Sequence, residues 1–332
     1  MNAAEFDKLF ESFSLLKIGV VGDVMLDTYW WGKVDRISPE APVPVVAVSN
    51  KEQRIGGAGN VAINVAALGA AVSIISVTGN DEEGNQLVSL LNENNINTDF
   101  IYKSDDRITT NKIRIISRNQ HMMRLDAEVT DSLNSSEEEK LIAGFIKYAI
   151  DEKPQLVIFE DYNKGVLTEN CIQQIIVVCK EHSILTAVDP KRKNFFAYQG
   201  VDIFKPNLHE VKESLHILGN LVSHKILKDM HKHLKEKLQH SISFITLSEK
   251  GVYYEGESGS EIIPTHIRSI ADVSGAGDTV IAVASVVFAA SKNIRLMAEI
   301  ANIAGGLVCE EVGTVAIDKN KLLIECKHLL AI

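Results

Sequence analysis

Short apolar runs alternate with longer segments of helical periodicity along most of the chain. The apolar runs predict strands at 17–22, 72–79, 156–160, 184–189, 202–207 and 242–248. The helical pattern predicts helices at 60–69, 83–94, 136–150, 168–182 and 223–239. Strands that are apolar on both faces and alternate with helices indicate a mainly parallel sheet with helices on both faces. The sequence therefore predicts an α/β fold with a doubly wound sheet.

Two stretches depart from this rhythm. Residues 28–54 and 99–125 alternate polar and apolar positions, as half-exposed strands do. We expect them to form a small β-sheet lid that stands off the main sheet. Because no internal repeat, low-complexity tract or linker interrupts the sequence, we expect a single domain over residues 1–332.

Composition and charge exclude several classes of protein. The chain is 45% hydrophobic and 23% charged, which is typical of a soluble globular protein. Its formal net charge of −10 argues against a nucleic-acid or anionic-membrane partner. The cysteines form no C-x-x-C pair, and this usage is typical of a reducing compartment. Since the sequence also lacks a signal-peptide pattern and a membrane-spanning run, we expect a cytoplasmic protein.

Polar and charged residues gather where the predicted strands end. These clusters lie at 23–27, 161–165, 189–192, 205–210 and 248–251. Loops of this kind are often polar, so a turn or a cap explains any single cluster equally well. The carboxyl ends of parallel strands meet at one edge of a sheet, however, and ligands bind there. The recurrence of the pattern favours one ligand-binding crevice.

The stretch "DVSGAGDTVIAVASVVFAA" at 272–290 carries the most specific chemistry. Glycines allow a tight turn into a helix whose first N–H groups can bind an anion. We therefore expect Gly275, Ala276 and Gly277 to form an anion hole for a transferred phosphoryl group. Asp278 is then placed to take a proton from an attacking hydroxyl. The alternative is that Asp278 is an ordinary acid in the first turn of a helix.

Two further motifs allow more than one interpretation. Residues 57–62, "GAGNVA", match a dinucleotide fingerprint, but they do not follow the first strand of a β-α-β unit. Asn60 is better explained as a contact to sugar hydroxyls. Asn207 and Glu210 have the spacing of a capping box. Glu210 could equally hold Mg²⁺ through water beside ATP phosphates, and the spacing leaves both explanations open.

The chain resembles the ribokinase-like sugar kinases of the PfkB family. Two signatures carry this resemblance, "IGGAGNVAINVAALGA" at 55–70 and "DVSGAGDTVIAVAS" at 272–285. Within that family, four further segments resemble the D-glycero-β-D-manno-heptose 7-phosphate kinases, which make the 1,7-bisphosphate on the way to ADP-heptose for lipopolysaccharide. These segments are "VVGDVMLDTYWWGKVDRISPEAPVPVV" (20–46), "SRNQHMMRLD" (117–126), "EDYNKG" (160–165) and "VDPKRK" (188–193).

The resemblance implies a ribokinase-like fold, a β lid that often mediates dimers, and ATP with Mg²⁺ as cofactors. It leaves dependence on a monovalent cation open. It implies that Asp278 is the catalytic base and that 275–277 is the anion hole. On the nucleotide side it implies Asn207, Glu210, Ser248, Gly251 and Asn302, with Mg²⁺ near Glu210. On the sugar side it implies Asp23, Gly57, Asn60, Asp161 and Lys164.

A sugar phosphate also needs a cation for its distal phosphate, and the sequence does not choose among several candidates. Arg124 lies in a segment that resembles the heptose kinases and is included on the substrate side. The full set of candidates is Lys112, Arg114, Arg118, Arg124, Lys191 and Arg192.

The sequence departs from the family pattern in two ways. The bifunctional relatives continue into a nucleotidyltransferase domain with an H-x-G-H motif, which this sequence lacks, so we expect another protein to supply adenylyl transfer. Glu160 stands where a Ser or Thr often precedes "DY", and "AEV" follows "RLD" in place of an acid-rich sequence. A kinase for another sugar, such as ribose or fructose, and a non-catalytic sugar-binding protein are the alternatives.

Overall fold

The computed structural model describes residues 1–118, 120–219, 222–266 and 268–331. The strands are β1 (Lys17–Gly22), β2 (Val24–Ile37), β3 (Pro44–Gly57), β4 (Ala71–Gly79), β5 (Asn97–Ser104), β6 (Asn111–Ser117), β7 (Gln120–Ala127), β8 (Leu156–Glu160), β9 (Leu185–Asp189), β10 (Ile203–Phe204), β11 (Ile242–Thr246), β12 (Val252–Gly256) and β13 (Gly259–Ile263). The α-helices are α1 (Ala3–Ser12), α2 (Ala58–Ala67), α3 (Glu82–Glu93), α4 (Ser135–Glu152), α5 (Glu169–Glu181), α6 (Leu208–Ser214), α7 (His224–Leu238), α8 (Ala276–Ser291), α9 (Ile294–Val308) and α10 (Lys319–Leu330).

A nine-stranded sheet lies at the centre of the structure, in the order β13-β12-β11-β10-β9-β8-β1-β4-β5. The strands from β5 across to β11 are parallel, and β12 and β13 add an antiparallel hairpin at one edge. Strand β8 is buried at every position, and its apolar residues 156–159 predict this for all but the last residue, Glu160. The predicted α/β fold with a mainly parallel sheet is confirmed.

Helices cover both faces of this sheet because successive strand residues point to opposite sides. In β8, Leu156 and Ile158 belong to one apolar cluster, whereas Val157 and Phe159 belong to the other. Helices α1, α2, α3, α8, α9 and α10 contribute to the first cluster, and α4, α5, α6 and α7 contribute to the second. None of the helices in the described ranges has the length and apolar character needed to cross a bilayer.

A second sheet, which we call the lid, has the strand order β3-β2-β6-β7. Strand β2 pairs antiparallel with β3 and parallel with β6, and β7 pairs antiparallel with β6. The predicted lid segment 28–54 lies within β2, β3 and their connection. The segment predicted at 99–125 is wrong in its first part, because residues 97–104 pair with β4 at the edge of the large sheet. An edge strand is half-exposed like a lid strand, so both carry the same alternating pattern.

The lid begins and ends at the carboxyl edge of the large sheet. Strand β2 starts two residues after β1, and β3 returns at Gly57, directly before α2. Gly57 has φ +60, and a Cβ there would lie 2.3 Å from the carbonyl oxygen of Asp23. Only glycine fits this close turn. The lid is therefore joined to the sheet edge at which the polar clusters were predicted to meet.

Candidate active site

Helix α8 begins at the carboxyl edge of the sheet with a glycine turn. Gly275 is its N-cap, in the left-handed region at φ 76. A Cβ at this position would lie 2.9 Å from both the Asn60 amide nitrogen and the Thr314 methyl group. At Gly277 the nearest atoms to an added Cβ would be Asp189 Oδ2 at 3.8 Å and Lys205 Nζ at 3.9 Å. The first turn of α8 therefore faces a carboxylate and an ammonium group, and it presents N–H groups that lack intrahelical acceptors.

Asp278 lies in this first turn and is buried. Its Oδ2 accepts a hydrogen bond from Asn60 Nδ2 at 2.7 Å, and its Oδ1 accepts one from Tyr162 Oη at 2.8 Å. Burial raises the pKa of Asp278 above its usual value, the two hydrogen bonds oppose this rise, and the nearby charge of Asp189 adds to it. The result is a carboxylate in a fixed orientation that is a stronger base than an exposed aspartate.

A buried polar network fixes Asn60 relative to α8. Asn64, one turn further along α2, donates to the backbone oxygen of Asn60 at 2.9 Å. Its side-chain oxygen accepts from Thr279 Oγ1 at 3.1 Å and from the backbone N–H of Ile317 at 3.0 Å. These bonds tie α2 to the first turn of α8, so that the amide of Asn60 is held against Asp278.

Two lysines surround a second buried carboxylate beside α8. Asp189, at the end of β9, accepts from Lys205 Nζ at 2.7 Å and from Lys191 Nζ at 3.4 Å. Burial alone would raise the pKa of Asp189, but the two ammonium groups hold it below its usual value. Burial likewise opposes the charge on Lys191, but Asp189 and Glu210 raise the pKa of Lys191 well above its usual value. The site thus holds two cations beside the N-terminus of α8.

Asn207 and Glu210 form the capping box that their spacing allowed. Asn207 Oδ1 accepts from the Glu210 backbone N–H at 2.9 Å, and Glu210 Oε2 accepts from the Asn207 backbone N–H at 2.7 Å. Glu210 Oε1 also accepts from Lys191 Nζ at 3.1 Å. Each carboxylate oxygen already has one donor, so Glu210 fits Mg²⁺ through water better than by direct coordination. The capping role therefore does not exclude the metal role.

Asp23 and Asp161 both use their carboxylates inside the protein. Asp23 accepts from the backbone N–H groups of Tyr162, Lys164 and Val166 at 2.8, 3.0 and 3.1 Å. Asp161 accepts from Tyr198 Oη at 2.8 Å and from a backbone N–H two residues later at 2.7 Å. These bonds order the loop that follows β8 and hold the Tyr162 hydroxyl beside Asp278.

Lys164 and Arg124, which were also predicted on the substrate side, both form ion pairs. Lys164 pairs with Glu128 at 2.7 Å. Arg124 pairs with Asp126 at 2.8 Å, and the Arg124 side chain is 58% exposed. This exposure places Arg124 on the solvent side of the lid.

The other three nucleotide-side residues lie near the turn after β11 and the end of β13. Ser248 is exposed, with φ 55, in the turn after β11. Gly251 has φ 96, and a Cβ there would lie 2.0 Å from the backbone oxygen of Ile263. Asn302 on α9 donates to the backbone oxygen of Pro264 at 2.8 Å. The structure brings Gly251 and Asn302 together through residues 263–264.

Three residues beside Asp278 were not assigned a role from the sequence. Asp189 and Lys205 lie in the polar clusters at strand ends, so the sequence placed them at this edge of the sheet. It did not indicate that they form an ion pair with each other. Tyr162 gave no signal, because an aromatic residue in a loop has no spacing that identifies it. Its role depends on the backbone bonds to Asp23, which link residues distant in sequence.

Comparisons with known proteins identify the family of the chain. Residues 16–321 match the family model described as pfkB family carbohydrate kinase. The chain is 37% identical over 316 residues to bifunctional protein HldE of Sulfurimonas denitrificans, covering 95% of this chain and 65% of that protein. It is 40% identical over 295 residues to bifunctional protein HldE of Aliarcobacter butzleri, covering 89% of this chain and 61% of that protein. The chain thus spans less than two thirds of the length of these two relatives.

Solved structures show the same fold at lower identity. Phosphofructokinase-2 from Escherichia coli in complex with potassium has a TM-score of 0.76 at 17% identity, over 93% of this chain and 99% of that chain. Arabidopsis thaliana ribokinase complexed with ribose and ATP has a TM-score of 0.71 at 15% identity, over 93% and 98% of the two chains. With the family model matching nearly the whole sequence, the chain belongs to the pfkB family of carbohydrate kinases.

Proposed function

We propose that this protein transfers the γ-phosphoryl group of ATP to the anomeric hydroxyl of a sugar phosphate. The substrate that the motifs favour is D-glycero-β-D-manno-heptose 7-phosphate, which would become the 1,7-bisphosphate for ADP-heptose and lipopolysaccharide. The observation that carries the proposal is the pairing of a hydrogen-bonded, buried Asp278 with the glycine turn of α8. A general base and an anion site at one helix terminus are what phosphoryl transfer to an alcohol requires.

Each group has one task in this proposal. Asp278 takes the proton of the attacking hydroxyl, while Asn60 and Tyr162 keep its oxygens in place. The N–H groups at 275–277 stabilise the transferred phosphoryl group, and Lys191 and Lys205 add positive charge beside it. Mg²⁺ would neutralise phosphate oxygens of ATP, and Glu210 would hold it through water.

The candidate cations for the distal phosphate differ in their exposure and in their ion pairs. Arg118 and Arg192 are 79% and 78% exposed, and Arg192 pairs with Glu213. Arg114 forms an ion pair with Asp27, and Lys191 is held between Asp189 and Glu210.

Lys112, on β6 of the lid, differs from these candidates. Among the described residues its ammonium group has no hydrogen-bond or ion-pair partner, and its Nζ lies 5.6 Å from the ring centroid of Tyr162. Burial lowers the pKa of Lys112, and the charge of Asp27 opposes this effect. An unpaired, half-buried ammonium beside the residue that holds Asp278 supports Lys112 as the group that binds the distal phosphate.

The lid also supports a homodimer. Five of its large apolar side chains are exposed, together with Val43 in the connection between β2 and β3: Ile37, Val48, Met122, Met123 and Leu125. Trp30, Trp31 and Val45, which the alternating pattern placed on the same sheet, are half-buried. Such a group of apolar residues on a small sheet favours association with the lid of a second copy.

The role of Asp278 is tested by Asp278→Asn, which keeps the size of the side chain and removes the base. We expect kcat to fall about a hundred- to ten-thousand-fold, the range of general-base contributions, while ATP binding measured by calorimetry persists. Glu236→Gln, an exposed carboxylate on α7, is the control and should leave kcat unchanged. Near-normal turnover by purified Asp278→Asn would refute the assignment.

The distal-phosphate site is tested by Lys112→Met. A charge-assisted hydrogen bond to phosphate is lost, so kcat/KM for the phosphorylated sugar should fall about ten- to hundred-fold. The KM for ATP should stay nearly constant. Arg118→Met removes an exposed cation from the turn after β6 and serves as the control. If the wild type used unphosphorylated ribose or fructose with equal efficiency, the alternative of another sugar kinase would replace the heptose proposal.

The dimer is tested by light scattering at micromolar concentration. The wild type should have the mass of two chains, and Val48→Asp should have the mass of one, because a charge on the exposed lid face opposes its burial. Val312→Asp, at an exposed apolar residue outside the lid, is the control and should remain a dimer. A monomeric wild type would contradict the lid interface.

A further inference from the structure

Glu160, the last residue of β8, is a carboxyl group that the mechanism above does not use. The side chain is fully buried, and neither carboxylate oxygen has a hydrogen-bond partner among the residues that the structure describes. Carboxylate oxygens of Glu160, Asp189 and Asp278 all lie within 4.8 Å of one another. Three acidic groups therefore meet beneath the N-terminus of α8.

The neighbouring donors are already bound to the other two carboxylates. Asn60 and Tyr162 donate to Asp278, and Lys205 and Lys191 donate to Asp189. An ionised carboxylate that is buried without hydrogen-bond donors destabilises the folded protein, and two negatively charged neighbours increase this destabilisation. The uncharged acid avoids this cost and gains a proton to donate.

We propose that Glu160 is a neutral carboxylic acid in the resting enzyme and that it donates a hydrogen bond to the Asp189–Asp278 carboxylate pair. Its proton stays on Glu160, while the proton of the sugar hydroxyl goes to Asp278. Glu160 is thus a positioning residue, which orients the two aspartates. Because it is neutral, it adds no third negative charge near the transferred phosphoryl group. Only this catalytic consequence rests on the proposed function, since the protonation follows from the geometry of the protein alone.

The electrostatics agree with this assignment. Burial raises the pKa of Glu160 well above its usual value, Asp189 and Asp278 raise it further, and Lys191 and Lys205 oppose the rise. If Glu160 were ionised, its charge would raise the pKa of the Tyr162 and Tyr198 hydroxyls. An acid with a raised pKa is neutral at low pH and ionises as pH rises. Ionisation of Glu160 should therefore lower activity on the alkaline side.

Infrared spectroscopy of the nucleotide-free full chain tests the protonation directly. At neutral pH the wild type should show the C=O stretch of a protonated carboxylic acid, which shifts in D₂O and disappears as pH is raised. Glu160→Gln should lack this band. Glu137→Gln is the matched control, because Glu137 is also buried but accepts hydrogen bonds from Ser104 Oγ and from the Asn134 backbone N–H. It should leave the band unchanged.

The pH profile of kcat/KM gives the second readout. Glu160→Gln resembles the neutral acid, so it should keep near-normal activity at neutral pH and lose part of the alkaline decline seen in the wild type. Absence of the protonated-acid band in the wild type would overturn the proposal. The proposal would also be overturned if the nucleotide-free wild type bound Mn²⁺ and Glu160→Gln abolished this binding. Glu160 would then be an ionised ligand of a cation. Either infrared result stands whether or not the sugar substrate is the one proposed.

Discussion

Asp278 is a carboxylate buried at the first turn of a helix, and both of its oxygens need a hydrogen-bond donor to remain there. One donor comes from Asn60 on α2 and the other from Tyr162 in the loop after β8. The Asn64 network fixes the first donor, and Asp23 fixes the second through backbone bonds to the loop. Elements distant in sequence are therefore held together by the requirements of one side chain.

A second constraint is the gathering of charge at this edge of the sheet. The chain as a whole is acidic, with a formal net charge of −10, yet a buried Lys205 and a half-buried Lys191 lie beside the N-terminus of α8. Their charges are matched by Asp189 and Glu210, so the cations are kept in place before any phosphate arrives. This arrangement suits the proposed nucleotide site, which would bind a highly charged ligand and release it again.

Much of the fold could be predicted from the sequence because buried parallel strands contain continuous apolar runs, such as residues 156–159 of β8. The alternating pattern was less specific, and it assigned 99–104 to the lid although these residues form the edge of the large sheet. At the site, the glycine turn and Asp278 could be singled out from the sequence, because a glycine-rich turn followed directly by an acid and a helix is a recognisable pattern. Tyr162 was not found, since its position depends on contacts that only the folded chain makes. Spacing likewise could not foresee that Asp23 and Asp161 direct their carboxylates to internal donors.

The identity of the reaction product tests the account most directly. After incubation of the wild type with ATP, Mg²⁺ and heptose 7-phosphate, ³¹P NMR of the product should show a second phosphate on the anomeric carbon. ADP should accumulate in equal amount, and neither product should form without the sugar. Transfer of the phosphate to another hydroxyl, or no sugar-dependent ADP formation with any phosphorylated sugar, would contradict the function proposed for Asp278 and the glycine turn of α8.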